Sequence, residues 1–232
     1  MKISVITSTF NELENIKKAK EYWDRQTFKD FEWILADDGS TDDIWEWAKK
    51  NGIKIVGNKV NGNYDWSIYN KAAKVAKGEY ITWVMGDSYP KEDYLEQLLL
   101  VLESNRVVNG IRLNVDEKGI IVSKDWRVES IDEGVDQLRV DWKHMTMNSM
   151  AMNLKLYNKI GGILEKYRGY GRADMDLIIK AFLKGAEMWC APKAVIYHLA
   201  HGSREEAEGN IKLFDERFKE FQKEFQKNEN SN

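Results

Sequence analysis

The sequence predicts an α/β protein built on a mainly parallel sheet with helices on both faces. Three observations predict it. Short β-rich apolar runs alternate with stretches of helical periodicity through residues 2–103. One run, Trp33-Ile-Leu-Ala, ends abruptly in Asp37-Asp38-Gly39-Ser40-Thr41, the pattern of a buried strand whose carboxyl end opens on a ligand crevice. A chain of 232 residues with 43% hydrophobic content suits one sizeable core or two small ones.

The elements follow in order. Lys2 to Ser8 reads as the first strand, Glu12 to Trp23 as a helix, Phe31 to Ala36 as the second strand. Asp43 to Lys50 is a helix with acidic residues at its start, where they suit the helix dipole. Ile53 to Val56 is a short third strand, and Asp65 to Ala76 has helical spacing. Tyr80 to Met85 is a fourth strand, and Lys91 to Glu103 an amphipathic helix just after Pro90. Beyond this the pattern changes. Val107 to Val115 and Ile120 to Val128 read as a hairpin turning at Gly119, and residues 132–148 as irregular. Asn153 to Ile160 and Asp174 to Leu183 read as helices, the second stopped near Gly185, and Glu187 to Ile196 as a short strand broken at Pro192. Finally, Ile211, Phe214, Phe218, Phe221 and Phe225 form an apolar stripe on a long helix filled out with lysine and glutamate. That stripe has three readings: docking on its own domain, a homodimer contact, or peripheral membrane contact.

Composition excludes several classes. The net charge of −3 leaves no basic footprint for nucleic acid. No apolar run approaches the roughly 20 residues that span a bilayer, and no signal peptide precedes the first strand. The single cysteine, Cys190, rules out an intrachain disulfide framework and suits a reducing compartment. A cytoplasmic protein, soluble or peripheral to a membrane, is expected.

In a parallel sheet the ends of the first two strands face one crevice, which makes Ser8, Thr9, Asn11, Glu12 and Asp38 candidates for holding a nucleoside. A carboxylate there accepts N–H donors from a base or hydroxyls from a ribose. The bland reading is that Asp37 and Asp38 cap the following helix.

Three segments carry a resemblance to the family 2 glycosyltransferases, of inverting GT-A type. They are Ile3-Ser-Val-Ile-Thr-Ser-Thr-Phe-Asn-Glu12, similar to the opening strand and "P-T-Y-N-E" turn with Ser8 in place of proline; the Asp-Asp-Gly-Ser-Thr-Asp run; and Tyr64 to Ala73 with Ala76 to Pro90. The second half resembles galactosyl- and N-acetylgalactosaminyl-type transferases in Ile160 to Leu177, similar to "G-G-F-D-E-x-F-x-G-Y-G-x-E-D-x-D-L", and in Tyr197-His-Leu-Ala-His-Gly-Ser-Arg204.

The resemblance implies a Rossmann-like GT-A domain over residues 1–204, with a nucleotide-sugar half (1–104) and a small acceptor-side, catalytic half (105–204), followed by an amphipathic helix (205–227) and a disordered tail (228–232). It implies transfer of a sugar from a nucleotide-sugar donor, a UDP-sugar by family analogy, to the hydroxyl of a glycan, lipid-linked or other acceptor. It assigns base reading to Asp38, donor contact to Asn70, and the diphosphate with its divalent cation, Mn2+ or Mg2+, to Asp87. The family's first carboxylate is absent, since the element reads Met85-Gly86-Asp87. His201 is the favoured second metal ligand and His198 its neighbour. Asp174 is the general base, with Ala173 where the family has glutamate; it is also readable as a helix cap. Two other classes compete. A nucleotidyltransferase wants a Gly-rich phosphate loop, which Thr7 to Glu12 lacks; a non-catalytic nucleotide-sugar or glycan-binding module would explain the departures at Met85 and Ala173.

Overall fold

Ile3, Val5 and Ile6 of the first strand are fully buried, so a continuous apolar run forms a central strand covered on both faces. The computed structural model describes residues 1–125, 134–202 and 204–229. In chain order the elements are β1 (Ile3–Thr9), α1 (Leu13–Asp24), β2 (Phe31–Asp37), α2 (Ile44–Lys50), β3 (Lys54–Gly57), α3 (Ser67–Val75), β4 (Tyr80–Trp83), β5 (Ser88–Pro90) and α4 (Tyr94–Val101). There follow β6 (Arg106–Val115), β7 (Ile121–Lys124), β8 (Leu138–Arg139), a 3-10 turn at Trp142–His144, β9 (Met150–Asn153), α5 (Leu154–Lys159), α6 (Ala173–Leu183), β10 (Glu187–Leu199) and α7 (Glu208–Glu229).

One ten-stranded sheet runs in the order β3-β2-β1-β4-β9-β6-β10-β5, with β7 on β6 and β8 on β10. Parallel pairing holds for β3-β2-β1-β4 and for β6 with β10. Between these blocks β9 runs antiparallel to both β4 and β6, so the sheet as a whole is mixed. One core cluster, around Trp83, Tyr157 and Leu177, lies under α3, α6 and α7; the other, around Trp23, Tyr94 and Leu95, lies under α1, α2 and α4.

Several elements differ from the sequence expectation. The fourth strand ends at Trp83, whose carbonyl accepts from Ser149 N at 2.7 Å, and Met85-Gly86-Asp87 turns off the sheet end. β9 lies just beyond the stretch read as irregular and takes Asn153 from the expected helix; Met-Ala-Met-Asn carries almost no strand propensity, and burial between two neighbours decides it. The strand expected to break at Pro192 runs unbroken for 13 residues, and the proline falls in a register shift between Cys190 and Val195. It continues to Leu199, so His198 is a strand residue. The expected hairpin arm beyond residue 125 and the last residues of the expected tail, 230–232, lie outside the described residues; α7 itself continues past 227 to Glu229.

The apolar face of α7 packs inside this chain. Phe214 and Phe221 are buried, Phe218 and Phe225 pack partly covered on the same core, and Phe225 meets the Phe182 ring at 5.9 Å. Arg217 Nε lies 2.5 Å from the fully buried Asp176 Oδ2 of α6. The face that a bilayer or a second subunit would need is thus occupied. Among the described residues no helix is long and apolar enough to cross a membrane.

If α7 is part of the core, Phe221→Ala lowers stability by about 3 kcal/mol, the usual cost of emptying a buried phenylalanine site. Urea unfolding reads this as a lower midpoint at unchanged slope, and an unchanged midpoint contradicts the packing.

Candidate active site

The carboxyl ends of β1 and β2 and the turn after β4 open on one cleft of about 680 Å³. Its lining includes Ser8, Thr9, Glu12, Asp38, Tyr69, Asp87, Asp174, His198, His201 and Arg204. It is the described place where most of the sequence-predicted residues meet.

At the first end, the two adjacent aspartates do different work. Asp37 is fully buried and bound up by its own turn: Ser40 Oγ donates to it at 2.5 Å and Trp45 Nε1 at 2.7 Å. Gly39, at φ +87, makes that turn possible, because a Cβ there would sit 2.1 Å from the Val60 carbonyl. Asp38 points the other way, into the cleft. Its Oδ1 accepts from Asn58 Nδ2 at 2.8 Å and its Oδ2 from Asp65 N at 3.2 Å. Burial pushes its carboxyl above the ordinary range, against these donors. Asn58 also donates to Asp65 Oδ2 at 3.2 Å and accepts from Lys71 Nζ at 2.5 Å. Asp65 meets Arg168 NH1 at 3.0 Å; burial would raise its carboxyl, but the Ser67 and Asn58 hydrogen bonds and this cation hold it low.

At the middle of the cleft, Asp87, His198 and His201 offer ligand atoms that all lie within 4.8 Å of one another. Asp87 Oδ2 is 3.5 Å from His198 Nε2 and 3.7 Å from His201 Nε2. The strand register explains the meeting, since β5 pairs antiparallel with β10 and sets Ser88 opposite His198. Burial, opposed by the Asp87 charge, pushes His198 down to about 4, which keeps a lone pair free for a cation. Its Nδ1 is buried with no hydrogen-bond partner. Glu12 stands beside this cluster, and burial followed by the Asp87 charge pushes it up to about 7, with Arg204 opposing. The set has the size and chemistry of a divalent-cation site with imidazole ligands.

At the far side, Asp174 is the second residue of α6 and lines the cleft. The cap position belongs to Arg172, at φ +71, so Asp174 is not the helix cap. Its Oδ1 accepts from Met175 N at 3.0 Å.

Two expected donor contacts sit elsewhere. Asn11 does not line the cleft; its Oδ1 accepts from Thr41 N at 2.8 Å and clasps the Asp37 turn from outside. Asn70 is tied to the Ile163 backbone and the Tyr157 hydroxyl, Nδ2 donating to Ile163 O at 2.8 Å and Oδ1 accepting from Tyr157 at 2.5 Å. The Asn70 amide is saturated by scaffold, whereas Asn11 is exposed and spends its Oδ1 on the turn. Nor do Asp42 and Asp43 cap α2 with their side chains; Asp42 Oδ2 accepts from Leu13 N at the start of α1. Sequence reading missed Asn58, Asp65, Arg112 and Asn148, which line or brace the cleft. The Asn61-Gly62-Asn63 turn signal beside Asp65 was the available clue.

Comparison with known proteins now decides the family: residues 4–173 match the family described as Glycosyl transferase family 2. The chain belongs to glycosyl transferase family 2. Glycosyltransferase GlyG of Streptococcus pneumoniae is 30% identical over 171 residues, covering 68% of this chain and 56% of GlyG. The putative glycosyltransferase EpsE of Bacillus subtilis is 30% identical over 196 residues, covering 79% of this chain and 68% of EpsE. Both relatives thus carry sequence beyond the part matched. In fold, the chain is similar to TarS of S. aureus solved with UDP-GlcNAc, with a TM-score of 0.69 at 21% identity, covering 88% of this chain and 60% of the TarS chain. This family 2 chain has the mixed sheet and flanking helices of that fold.

Asn58 braces this end of the cleft, since removing it strips hydrogen bonds from two carboxylates at once. Asn58→Ala is expected to cost about 2 kcal/mol, the price of buried groups left unsatisfied. A melting temperature equal to that of the parent overturns the assignment of Asn58 as the brace.

Proposed function

We propose that this family 2 member is an inverting glycosyltransferase that moves a sugar from a UDP-sugar to an acceptor hydroxyl. The observation that carries the reading is one cleft lined together by Asp38, Asp87, both histidines and Asp174. The likeness to TarS, whose structures hold UDP-GlcNAc and UDP, supports uracil as the base.

Each group then has a task. Asp38 accepts an N–H from the base, held in place by Asn58 and Asp65. Ser8, Thr9 and Glu12 line the nucleoside channel beside it. Asp87, His198 and His201 fit a divalent cation, Mn2+ or Mg2+, because their donor atoms converge and include two imidazoles with a carboxylate. Bound there, the cation would neutralise charge on the leaving diphosphate. Asp174 takes the acceptor proton as the acceptor oxygen bonds to the anomeric carbon and the bond to the diphosphate breaks on the opposite face. In-line attack on a single sugar carbon inverts it. Residues 1–204 would form the catalytic unit in this reading, with the acceptor, a glycan, lipid-linked or other hydroxyl, entering from the side of residues 105–204.

Thermal shifts with UDP, GDP, CDP and dTDP, each with and without Mn2+, test the reading. A ligand at a hundred times its dissociation constant adds about 2.7 kcal/mol of stability. A shift with UDP that grows with Mn2+ is expected. No shift with any nucleotide favours a non-catalytic glycan-binding module, for which Met85 and Ala173 in place of family carboxylates would be the sequence reason.

For the base, Asp174→Asn is expected to keep the UDP shift and lower kcat about 100-fold or more. Parental turnover in that variant removes Asp174 from the role.

A further inference from the structure

The loop Arg168-Gly-Tyr-Gly-Arg172 hangs between two walls. On the donor side, Gly169 N donates to Asn63 O at 3.0 Å, Trp66 Nε1 donates to Gly169 O at 2.9 Å, and Arg168 pairs with Asp65 at 3.0 Å. On the other side stands Asn210, in the first turn of α7. Its side chain is 2% exposed. Oδ1 accepts from Arg168 N at 3.0 Å, and Nδ2 donates to Gly169 O at 3.0 Å and Gly171 O at 2.9 Å. Ala207 N donates to Tyr170 O at 3.0 Å, and Arg172 pairs with Glu206 at 2.8 Å.

The glycines let the two walls close on the loop. Gly169 and Gly171 have φ of +84 and +95, and a Cβ on them would meet Ala207 Cβ at 2.7 Å and Glu206 Cγ at 2.9 Å. The loop carries Tyr170 at the cleft and leads two residues later to Asp174. Residues 206–210 lie beyond the family match, which ends at 173. This chain therefore holds a cleft loop with a segment outside the family-matched part.

We propose that Asn210 is a positioning residue, which fixes the Arg168–Arg172 loop and through it the placement of Tyr170 and Asp174 for transfer. The inference rests on the glycosyltransferase reading of the cleft. An amide suits the task because it accepts one backbone N–H and donates to two carbonyls at once, which no aliphatic or single-hydroxyl side chain does. In that reading nucleotide binding rests on Asp38 and Asn58, neither of which Asn210 touches, so Asn210 bears on turnover more than on affinity for UDP.

Two readouts on the full chain test it. In Asn210→Ala, kcat falls on the order of tenfold to a hundredfold, as misplacement of a reacting group does, while the dissociation constant for UDP stays within about twofold. Trypsin then cleaves after Arg168 or Arg172 about tenfold faster than in the parent, with sites read by mass spectrometry. Phe221→Ala, which loosens the same helix away from the loop, keeps kcat of the folded enzyme within about twofold of the parent. Equal loss of kcat in Phe221→Ala, parental kcat in Asn210→Ala, or a parallel loss of UDP binding each overturns the proposal. If Asn210→Ala does not fold, Asn210→Ser and Glu206→Gln carry the same comparison. A parent that transfers no sugar from any nucleotide donor defeats the functional reading instead, and the trypsin comparison, which needs no turnover, still decides whether Asn210 holds the loop.

Discussion

The antiparallel pairing of the three-residue β5 with β10 is the constraint on which the site depends. It sets Ser88 opposite His198 and lets Leu199 N donate to Asp87 O at 3.0 Å, so a carboxylate from the first half meets histidines from the second. β10 pairs on its other edge with β6, where His198 stands beside Asn114 in a parallel register that also brings Arg112 to the cleft. Side chains alternate along a strand, so Tyr197 leaves on the opposite face, toward the second core, while His198 enters the cleft. A slip of one residue would exchange the two and dismantle the cluster. The register is held from below as well: Lys91 N donates to Val195 O at 2.9 Å, and the bulge at Pro192 absorbs the mismatch that a proline inside a central strand creates.

The turn that closes β2 sends neighbouring aspartates to opposite ends. Asp37 faces its turn, where hydroxyl, indole and backbone donors fill its oxygens. Asp38 faces the cleft and accepts from Asn58 Nδ2 at 2.8 Å and from Asp65 N at 3.2 Å. A carboxylate oxygen has room for about two acceptor bonds, so Asp38 retains capacity for a ligand's N–H, whereas Asp37 retains almost none. Scaffold and cleft are thus divided between the last residue of β2 and the first of the turn that follows it.

That division also marks how far the sequence could be read. The crevice, Asp38, Asp87 and the histidine window were legible because each lies at a strand end and two of three histidines share one short segment. Local periodicity gave the N-terminal strands and helices for the same reason: their burial pattern is set by near neighbours in the chain. β9 and the long β10 were not legible, because burial between distant strands overrode weak propensity and a proline. Asn11 and Asn70 occupy motif positions, yet a motif does not say whether the amide is already engaged. Asn58 and Asn210 show the converse, since neither carries a local signal and each gains its role only when segments far apart in sequence close around it.

The charge inside the cleft bears on why the site is built as it is. Glu12, Asp38, Asp87 and Asp174 share one concavity with Arg112 and Arg204. Burial first and the Asp87 charge second raise Glu12 to about 7, so the empty cleft disfavours a charge on that carboxyl. A positive charge in the cleft would relieve that disfavour. Met85 sharpens the point. Its sulfur accepts from Ser8 Oγ at 3.0 Å and stands 3.5 Å from the Tyr69 hydroxyl, so it fills space where a further carboxylate would have added to the repulsion. With one acid at that turn and two imidazoles opposite, one of them neutral through burial, the cluster offers cation ligands at a smaller electrostatic cost to the empty fold than a pair of aspartates would.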